Sequence, residues 1–222
     1  MPDVESGRHL AARVRQVGDP VRLPTAHGDF QMYCFADAVT GATHVALVSA
    51  RGLADVPPVR VHSECFTGDV LASERCDCGA QLRAGLYVAA QQGGMVIHLG
   101  GQEGRGIGLA AKLAAYGLQD AGRDTVQANT ELGHPADARE YGAAADILAE
   151  FGVQRLRLLT NNPDKIVAIQ RAGFEVISER LEVPPGPESA AYLATKRDRM
   201  GHHLLGHYSA NVRRIDTKEV VR

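Results

Sequence analysis

Three of the four cysteines in the chain lie in one short segment, at Cys65, Cys76 and Cys78. Thiolates bind zinc well, and catalytic zinc sites commonly take three ligands from the protein and leave the fourth position open for water. Structural zinc knuckles usually contain two closely spaced cysteine pairs, and this sequence has one such pair. The segment therefore predicts a zinc ion held by the three thiolates. The alternatives are three buried thiols, or a structural zinc completed by His62 or a distant residue.

The charge of such a site adds a constraint. Three thiolates on Zn²⁺ leave the site with a net negative charge, so the metal acidifies water less than it would with three neutral imidazoles. We therefore expect a nearby acid or base to assist the metal.

A glycine-rich segment over residues 100–108 follows a predicted strand (95–99) and opens a predicted helix (109–121). Amide N–H groups and the helix dipole at such a junction attract phosphate, and Arg105 favours a triphosphate. Gly106-x-Gly108-x-x-Ala111 also matches the dinucleotide-binding fingerprint, but its glycines begin several residues after the strand, which weakens the match. A flexible loop with a charged tip is the alternative.

A second strand-to-helix junction lies at residues 160–165. Asn162 is predicted to cap the helix with Pro163 in its first turn, and Lys165 beside the helix start favours an anion. Asp137 is predicted to begin a helix over residues 136–151. On its spacing alone, Tyr116 is predicted to be a core residue.

Composition limits the classes of function. Of the 222 residues, 45% are apolar and 23% charged, which is ordinary for a globular protein. The net charge of −2 provides no general attraction to nucleic acid, and no apolar run approaches the length of a membrane span. Few cysteines and the lack of a secretory pattern at the N-terminus predict a cytoplasmic protein.

The pattern of elements predicts an α/β fold with a mixed sheet. Strands over residues 29–35 and 44–48 form an antiparallel N-terminal part, and alternating strands and helices over residues 80–180 form parallel βα units. We divide the chain into an N-terminal arm (1–21), with a short helix over 9–17 as an option, a catalytic domain (22–205) that ends in a helix over 190–204, and a C-terminal tail (206–222).

Three motifs resemble those of one known family: His62-Ser63-Glu64-Cys65-x-Thr67-Gly68-Asp69, Arg75-Cys76-Asp77-Cys78-Gly79 and Gln102-Glu103-Gly104-Arg105-Gly106-Ile107-Gly108-Leu109. The family is GTP cyclohydrolase II, the zinc enzyme of riboflavin biosynthesis, and the resemblance covers residues 23–204. It implies hydrolysis of GTP to formate, pyrophosphate and 2,5-diamino-6-(5-phosphoribosylamino)pyrimidin-4(3H)-one. It also implies that zinc-bound water attacks C8 of the guanine, that Mg²⁺ bridges the phosphates, and that the protein is a homodimer.

The resemblance also implies roles for individual residues. The metal ligands are Cys65, Cys76 and Cys78, and the catalytic residues are Asp137, Arg139 and Tyr116. The residues implied to contact GTP are Arg60, Val61, His62, Ser63, Glu64, Gln81, Glu103, Gly104, Arg105, Thr125, Thr160 and Lys165. The family assigns Arg139 as a nucleophile, whereas a guanidinium is a poor nucleophile, and we favour a positive clamp on the α-phosphate.

Gly101 is a departure, since the family usually carries arginine before Gln102. The missing charge predicts weaker GTP binding unless Lys112 or Arg123 compensates. It also keeps open a paralogue that gives a formylated intermediate or serves a secondary pathway. A dinucleotide-dependent oxidoreductase and a non-catalytic zinc- and nucleotide-binding module are the alternatives from other classes.

Overall fold

The structure is a computed structural model that describes residues 13–183, 188–189, 193, 195, 197–198 and 201–202. Its strands are β1 (Val14–Gln16), β2 (Val21–Thr25), β3 (Gly28–Asp37), β4 (Thr43–Ser49), β5 (Pro58–Ser63), β6 (Met95–Leu99), β7 (Arg155–Leu159) and β8 (Glu175–Glu179). Its helices are α1 (Phe66–Asp69), α2 (Cys78–Gln92), α3 (Glu103–Gly106), α4 (Leu109–Asp120), α5 (Thr125–Glu131), α6 (Gly142–Glu150) and α7 (Pro163–Arg171).

All eight strands form one mixed sheet, in the order β1-β3-β4-β6-β5-β7-β8 with β2 also pairing with β3. The pairs among β1 to β4 are antiparallel, as is β4 with β6. From β6 onward, through β5, β7 and β8, the pairs are parallel. The predicted mixed sheet, with its antiparallel N-terminal part, is confirmed.

This topology explains why the sequence motifs meet. The parallel strands β5, β6 and β7 end at Ser63, Leu99 and Leu159, and the carboxyl ends of parallel strands lie at the same edge of a sheet. The cysteine segment, the glycine-rich segment and the Thr160 junction follow directly from those ends. Three segments that are far apart in sequence therefore surround one region.

The core covers both faces of the sheet, because successive side chains of a buried strand point to opposite faces. On one face Ile97 packs with Ile147 of α6 and Ile169 of α7. On the other face Val96 packs with Ala89 of α2. Helix α2 ends at Gly93, which adopts a left-handed φ of 64° as a C-terminal cap. The sequence predicted this end of the helix correctly.

The N-terminal part differs from the prediction. Residues 14–16, within the optional helix over 9–17, form strand β1, in which Val14 pairs with Asp37 of β3. Strand β2 begins at Val21, the last position of the predicted arm. The division into arm, domain and tail stays a prediction, and residues 1–12 and 206–222 lie outside the described residues, as does most of the helix predicted over 190–204.

The helix predicted to begin at Asp137 starts later, at Gly142. Residues before it are held by the glycine-rich segment instead, because Ala138 N–H donates to the Arg105 carbonyl at 3.0 Å and the Gln102 side chain donates to the Glu140 carbonyl at 2.6 Å. These tertiary hydrogen bonds outweigh the helix propensity of an alanine-rich stretch.

Helix α5 was not predicted, although its start has a recognisable sequence pattern. Asp124 accepts hydrogen bonds from the backbone of Val126 and Gln127, while the Gln127 side chain accepts one from Asp124 N–H. This reciprocal capping box is a standard helix start. Among the helices described, none has the length and apolar character needed to cross a bilayer.

Candidate active site

The three cysteines of the predicted zinc site meet at the start of two helices. Cys65 precedes α1, directly after β5, and Cys78 is the first residue of α2. Cys76 lies in the turn before α2. The Sγ atoms of all three lie within 4.8 Å of one another.

The spacing of the sulphurs fits zinc. Tetrahedral zinc with bonds of about 2.3 Å holds its sulphur ligands about 3.8 Å apart, and Cys65 Sγ lies 3.7 Å from Cys76 Sγ. A Cβ atom added at Gly68 would lie 2.9 Å from Cys76 Sγ and 3.3 Å from Cys65 Sγ. Glycine at this position leaves the room that the three thiols need. The donor set and its spacing therefore suit a zinc ion, with space for a fourth ligand from the adjoining cavity.

The thiols influence each other's acidity. Hydrogen bonds from Cys76 and Cys78, together with the nearby Lys112 ammonium, lower the pKa of Cys65 well below its ordinary range. The Cys65 sulphur in turn raises the pKa of Cys76 to about 11. One negative charge is thus favoured at Cys65 before any metal binds.

Lys112 of α4 is buried beside this cluster. Its ammonium donates hydrogen bonds to Glu103 Oε1 at 2.6 Å, Thr67 Oγ1 at 2.7 Å and Cys65 Sγ at 3.2 Å. Burial alone would lower the pKa of Lys112, but the contacts with Glu103 and Cys65 raise it overall. A permanent positive charge therefore lies against the thiolate cluster.

Tyr116 faces the same region from the next turn of α4. Its hydroxyl lies 3.4 Å from Thr67 Oγ1, and the Arg75 guanidinium lies over its ring, 4.7 Å from the centroid. Burial raises the pKa of Tyr116, so its hydroxyl keeps its proton at neutral pH. The side chain lines a cavity, in contrast with the core position that its spacing alone predicted.

Asp69 holds the start of the cysteine segment through hydrogen bonds. It accepts hydrogen bonds from Cys65 N–H and from the ring of His62, each at 3.0 Å, and His98 lies 3.6 Å away. Burial alone would raise the pKa of Asp69, but the two histidines lower it to about 2. Burial lowers the pKa of His62 to about 4, so it is neutral and donates its Nε2 proton to Asp69. His62 is thereby committed to a partner other than the metal.

Two adjoining cavities surround the cysteines. The metal-side cavity is lined by Ser63, Glu64, Cys65, Arg75, Cys76, Cys78, Gln102, Glu103, Gly104, Arg105, Ile107, Lys112, Ala115, Tyr116, Gln119, Thr125, Asn129 and Arg139. The cation-lined cavity is lined by Arg60, His62, Ser63, Asp77, Cys78, Gln81, Arg105, Arg139, Thr160, Asn161, Asn162, Lys165 and His202. Ser63, Cys78, Arg105 and Arg139 line both, so the two cavities are direct neighbours.

Four cationic side chains line the second cavity: Arg60, Arg105, Arg139 and Lys165. Asp77 is the one carboxylate among its described lining residues. Such a surplus of positive charge around a buried space fits a polyanion, such as the phosphates of a nucleotide.

Arg60 is deeply buried, with 5% of its surface exposed. It donates to Gln81 Oε1 at 2.6 Å and to the Leu159 carbonyl at 3.0 Å. Its Nε is buried and has no hydrogen-bond partner among the described residues. Burial lowers the pKa of Arg60, and a bound anion would offset that penalty. Lys165, which is 4% exposed, donates to the Val61 carbonyl at 2.8 Å.

Arg139 is held by Asp137. The Nε atom of Arg139 donates to Asp137 Oδ1 at 2.9 Å, a second contact joins Nη2 to Oδ2, and Arg139 N–H donates to Oδ1 at 3.0 Å. Burial alone would raise the pKa of Asp137, but Arg139 lowers it overall. The pair lies in a loop, so the two side chains face each other without a helix.

The glycine-rich segment contains an unusual backbone. Gly104 and Arg105 inside α3 both have left-handed conformations, with φ values of 60° and 65°. A left-handed arginine is uncommon and strained. The amides of Gly106 and Gly108 donate to the carbonyls of Gln102 and Glu103. These amides are used within the protein, which disfavours the dinucleotide fingerprint.

Gly101 also has a left-handed φ, 74°, and its amide donates to Glu64 Oε2 at 2.7 Å. Side chains rarely adopt that conformation, so the local backbone favours glycine here. Lys112 and Arg123, the cations considered as replacements for a missing arginine, pair with Glu103 and Glu131.

Comparison with protein families decides the relationship. Residues 15–182 match the family described as GTP cyclohydrolase II. The chain belongs to the GTP cyclohydrolase II family.

Its relatives include riboflavin biosynthesis proteins named RibBA. The one of Rhodococcus jostii (strain RHA1) is 53% identical over 197 residues, covering 83% of this chain and 46% of the relative. The one of Salinispora arenicola (strain CNS-205) is 55% identical over 187 residues, covering 82% of this chain and 44% of the relative. The chain therefore spans about half the length of the curated relatives it matches.

One solved structure resembles the chain more distantly. It is described as RibBX, a two-domain 3,4-dihydroxy-2-butanone 4-phosphate synthase from A. baumannii. The matched region covers 78% of this chain and 41% of the RibBX chain. Its TM-score is 0.43 at 22% identity, a similarity too low to carry an argument.

Most site residues expected of a GTP cyclohydrolase II lie around the two cavities. Val61 and Asp137 are not among the described lining residues. The side chain of Val61 is fully buried in the core, and only its carbonyl faces Lys165. Asp137 instead contacts Arg139, which lines both cavities.

Residues that the sequence reasoning did not place in the site include Thr67, Asp69, Gln102 and Asn129. Lys112 was considered only as a cation for the phosphates. No local pattern signals its role, because its contact with Cys65 joins residues 47 positions apart.

Proposed function

We propose that this chain hydrolyses GTP to formate, pyrophosphate and 2,5-diamino-6-(5-phosphoribosylamino)pyrimidin-4(3H)-one, the first step of riboflavin biosynthesis. One observation carries the proposal. The metal-side cavity, which is lined by the three thiols, and the cation-lined cavity share Ser63, Cys78, Arg105 and Arg139. This arrangement suits a ligand with a hydrolysable ring at one end and phosphates at the other.

Each group of residues has a defined role in this proposal. Zinc, when bound by Cys65, Cys76 and Cys78, supplies an activated water for attack on the guanine ring. Tyr116, whose hydroxyl stays protonated, faces the same cavity and donates a proton or hydrogen bond to the opening ring. Thr125 and Glu103 line this cavity and orient the purine.

The phosphates lie in the cation-lined cavity. Arg60, Arg105, Lys165 and the Thr160 hydroxyl bind them, and Arg139 clamps the α-phosphate as negative charge develops there. Asp137 fixes the direction of the Arg139 guanidinium. Mg²⁺ accompanies the substrate, because it binds readily through phosphate oxygens with few protein ligands.

A homodimer and a cytoplasmic location complete the proposal. Large apolar side chains are exposed around α1 and on α4, with Val70 at 66%, Leu71 at 62% and Leu113 at 54%, and such exposure supports self-association. The zinc-binding thiols must remain reduced, which supports a reducing compartment.

The test is product analysis of metal-replete protein incubated with GTP and Mg²⁺. We expect formate, pyrophosphate and the diaminopyrimidinone in equal amounts, resolved by mass spectrometry. Consumption of GTP with a formylated product and no free formate would support the paralogue instead. GTP binding without turnover would support a non-catalytic module.

A further inference from the structure

Lys112 has a set of contacts that binding of GTP phosphates does not explain. Its three ammonium protons have three acceptors, on Cys65, Thr67 and Glu103, at 3.2, 2.7 and 2.6 Å. The side chain is 10% exposed. Burying a lysine costs free energy unless its charge is paired. The three acceptors offset that cost and fix the position of the ammonium.

That position is next to a metal ligand. A zinc ion with three thiolates has a net negative charge. Such a site lowers the pKa of a bound water less than zinc with neutral ligands does, which makes water harder to activate. An N–H donor to a ligand sulphur withdraws electron density from it, and partners of this kind tune the metal as well as orient the ligand.

The second acceptor connects the metal site with Tyr116. Thr67 Oγ1 accepts a hydrogen bond from Lys112 and lies 3.4 Å from the Tyr116 hydroxyl. The ammonium also lies 5.6 Å from the centre of the Tyr116 ring. The Lys112 ammonium therefore contacts the ligand sulphur of Cys65 directly and the Tyr116 hydroxyl through Thr67.

We propose that Lys112 is a positioning residue of the metal centre, which lowers the donor strength of Cys65 through an N–H···S hydrogen bond and orients Tyr116 through Thr67. Glu103 holds the ammonium in place from the opposite side. The inference rests on the proposed zinc site, and its test does not depend on GTP turnover.

The experiment uses Co²⁺ in place of zinc as a spectroscopic probe. The energy of the thiolate-to-cobalt charge-transfer band rises when a sulphur accepts a hydrogen bond. We expect the band of Lys112→Met to lie at longer wavelength than that of the wild-type protein. The band of Lys112→Arg, which keeps an N–H donor, should lie near the wild-type position. Formate release by the zinc form of Lys112→Met should fall about 10- to 100-fold, the usual effect of losing a partner of a metal ligand.

Two further variants make the test specific. Thr67→Val removes one acceptor of Lys112 and the longer contact of the Thr67 hydroxyl with Cys65 Sγ, at 3.8 Å, but it leaves the Lys112 contact with Cys65 at 3.2 Å. Its band should therefore move less than the band of Lys112→Met. Lys112→Leu also removes every side-chain N–H donor and serves if Lys112→Met does not fold.

The outcomes separate the claims. An unchanged band in Lys112→Met, or in Lys112→Leu, would overturn the role of Lys112. An equal shift in Thr67→Val would also overturn it, because general loosening would then explain both. Failure of the wild-type protein to bind cobalt through thiolates would refute the proposed metal site itself. A shifted band without GTP turnover would uphold Lys112 and refute the proposed function.

Discussion

At the scale of single residues, Arg139 is the position where chemistry and geometry can be weighed against each other. A guanidinium keeps its proton at any pH at which proteins are folded, so it has no lone pair for attack. In the structure it is also paired with Asp137 through two side-chain contacts, and a carboxylate partner favours the protonated guanidinium over a neutral nucleophile. Both facts favour a clamp on phosphate over a nucleophile.

We therefore predict that Arg139→Lys retains measurable pyrophosphate release, while Arg139→Ala loses about 10²- to 10³-fold, the usual loss for one donor to a developing oxyanion. A steady-state pyrophosphate assay measures both. Arg22→Ala is the control, because Arg22 is exposed and pairs with Asp29 away from the site. A covalent nucleotidyl adduct isolated on Arg139 would contradict the clamp.

At the scale of elements, the close approach of α1 to α2 determines the metal geometry. Gly68 of α1 lies so near the thiols that a Cβ would overlap Cys76 Sγ and Cys78 Cβ, at 2.9 and 3.1 Å. The start of α2 is equally close, since a Cβ at Gly79 would lie 2.2 Å from the Gly68 carbonyl oxygen. The sulphurs converge because two glycines let these elements touch.

Gly68→Ala should therefore weaken zinc binding about tenfold or more, because overpacking costs about 1–3 kcal/mol and 1.4 kcal/mol is a factor of ten. Competition with a chromophoric chelator measures the affinity. Gly117→Ala is the matched control, since a Cβ there meets nothing within 4 Å. Wild-type zinc affinity in Gly68→Ala would show that the spacing of the two elements is not what determines the site.

Strand β1 is tied to the sheet by a buried ion pair. Asp37 at the end of β3 is 2% exposed and accepts hydrogen bonds from Arg13 at 2.9 Å and from Val39 N–H at 2.8 Å. Burial alone would raise the pKa of Asp37, but the hydrogen bonds from Arg13 and the backbone lower it well below its usual range. The ionised carboxylate is thus favoured in the folded state.

Asp37→Asn should lower the free energy of unfolding by about 1.5–3 kcal/mol at neutral pH. Because the folded pKa is depressed, the contribution is complete above about pH 4, where the unfolded carboxyl ionises, and it is lost as the pH falls towards the folded value. Urea unfolding at pH 7 and pH 3 should show the difference shrinking. Asp29→Asn on the same strand, whose partner is exposed, should change stability by about 0–1 kcal/mol. An equal loss in both variants would contradict this account.

Local patterns predicted the elements that depend on local forces. Strand β6 has the predicted bounds, since a continuous apolar run from Met95 to Leu99 suits a strand buried on both faces. The cysteine cluster was likewise visible in the spacing. Residues 136–141 were misassigned because their structure depends on hydrogen bonds to Arg105 and Gln102, about 30 to 40 positions away. The roles of Lys112 and Thr67 were hidden for the same reason.

At the scale of the whole molecule, the sheet brings the three thiols and the cation-lined cavity to a common edge. The parallel order β6-β5-β7 is what joins them, because each strand delivers one of the three motifs at its carboxyl end. The chain spans about half the length of the RibBA relatives it matches.

The most direct test of the account compares Cys76→Ser with Cys34→Ser. Cys34 lies on β3, outside the cluster of three thiols, and serves as the matched control. We predict that Cys34→Ser binds one zinc per chain and releases formate from GTP at the wild-type rate, while Cys76→Ser loses both. Formate release at the wild-type rate by zinc-free Cys76→Ser would contradict the central claim that the three thiolates hold the metal that opens the guanine ring.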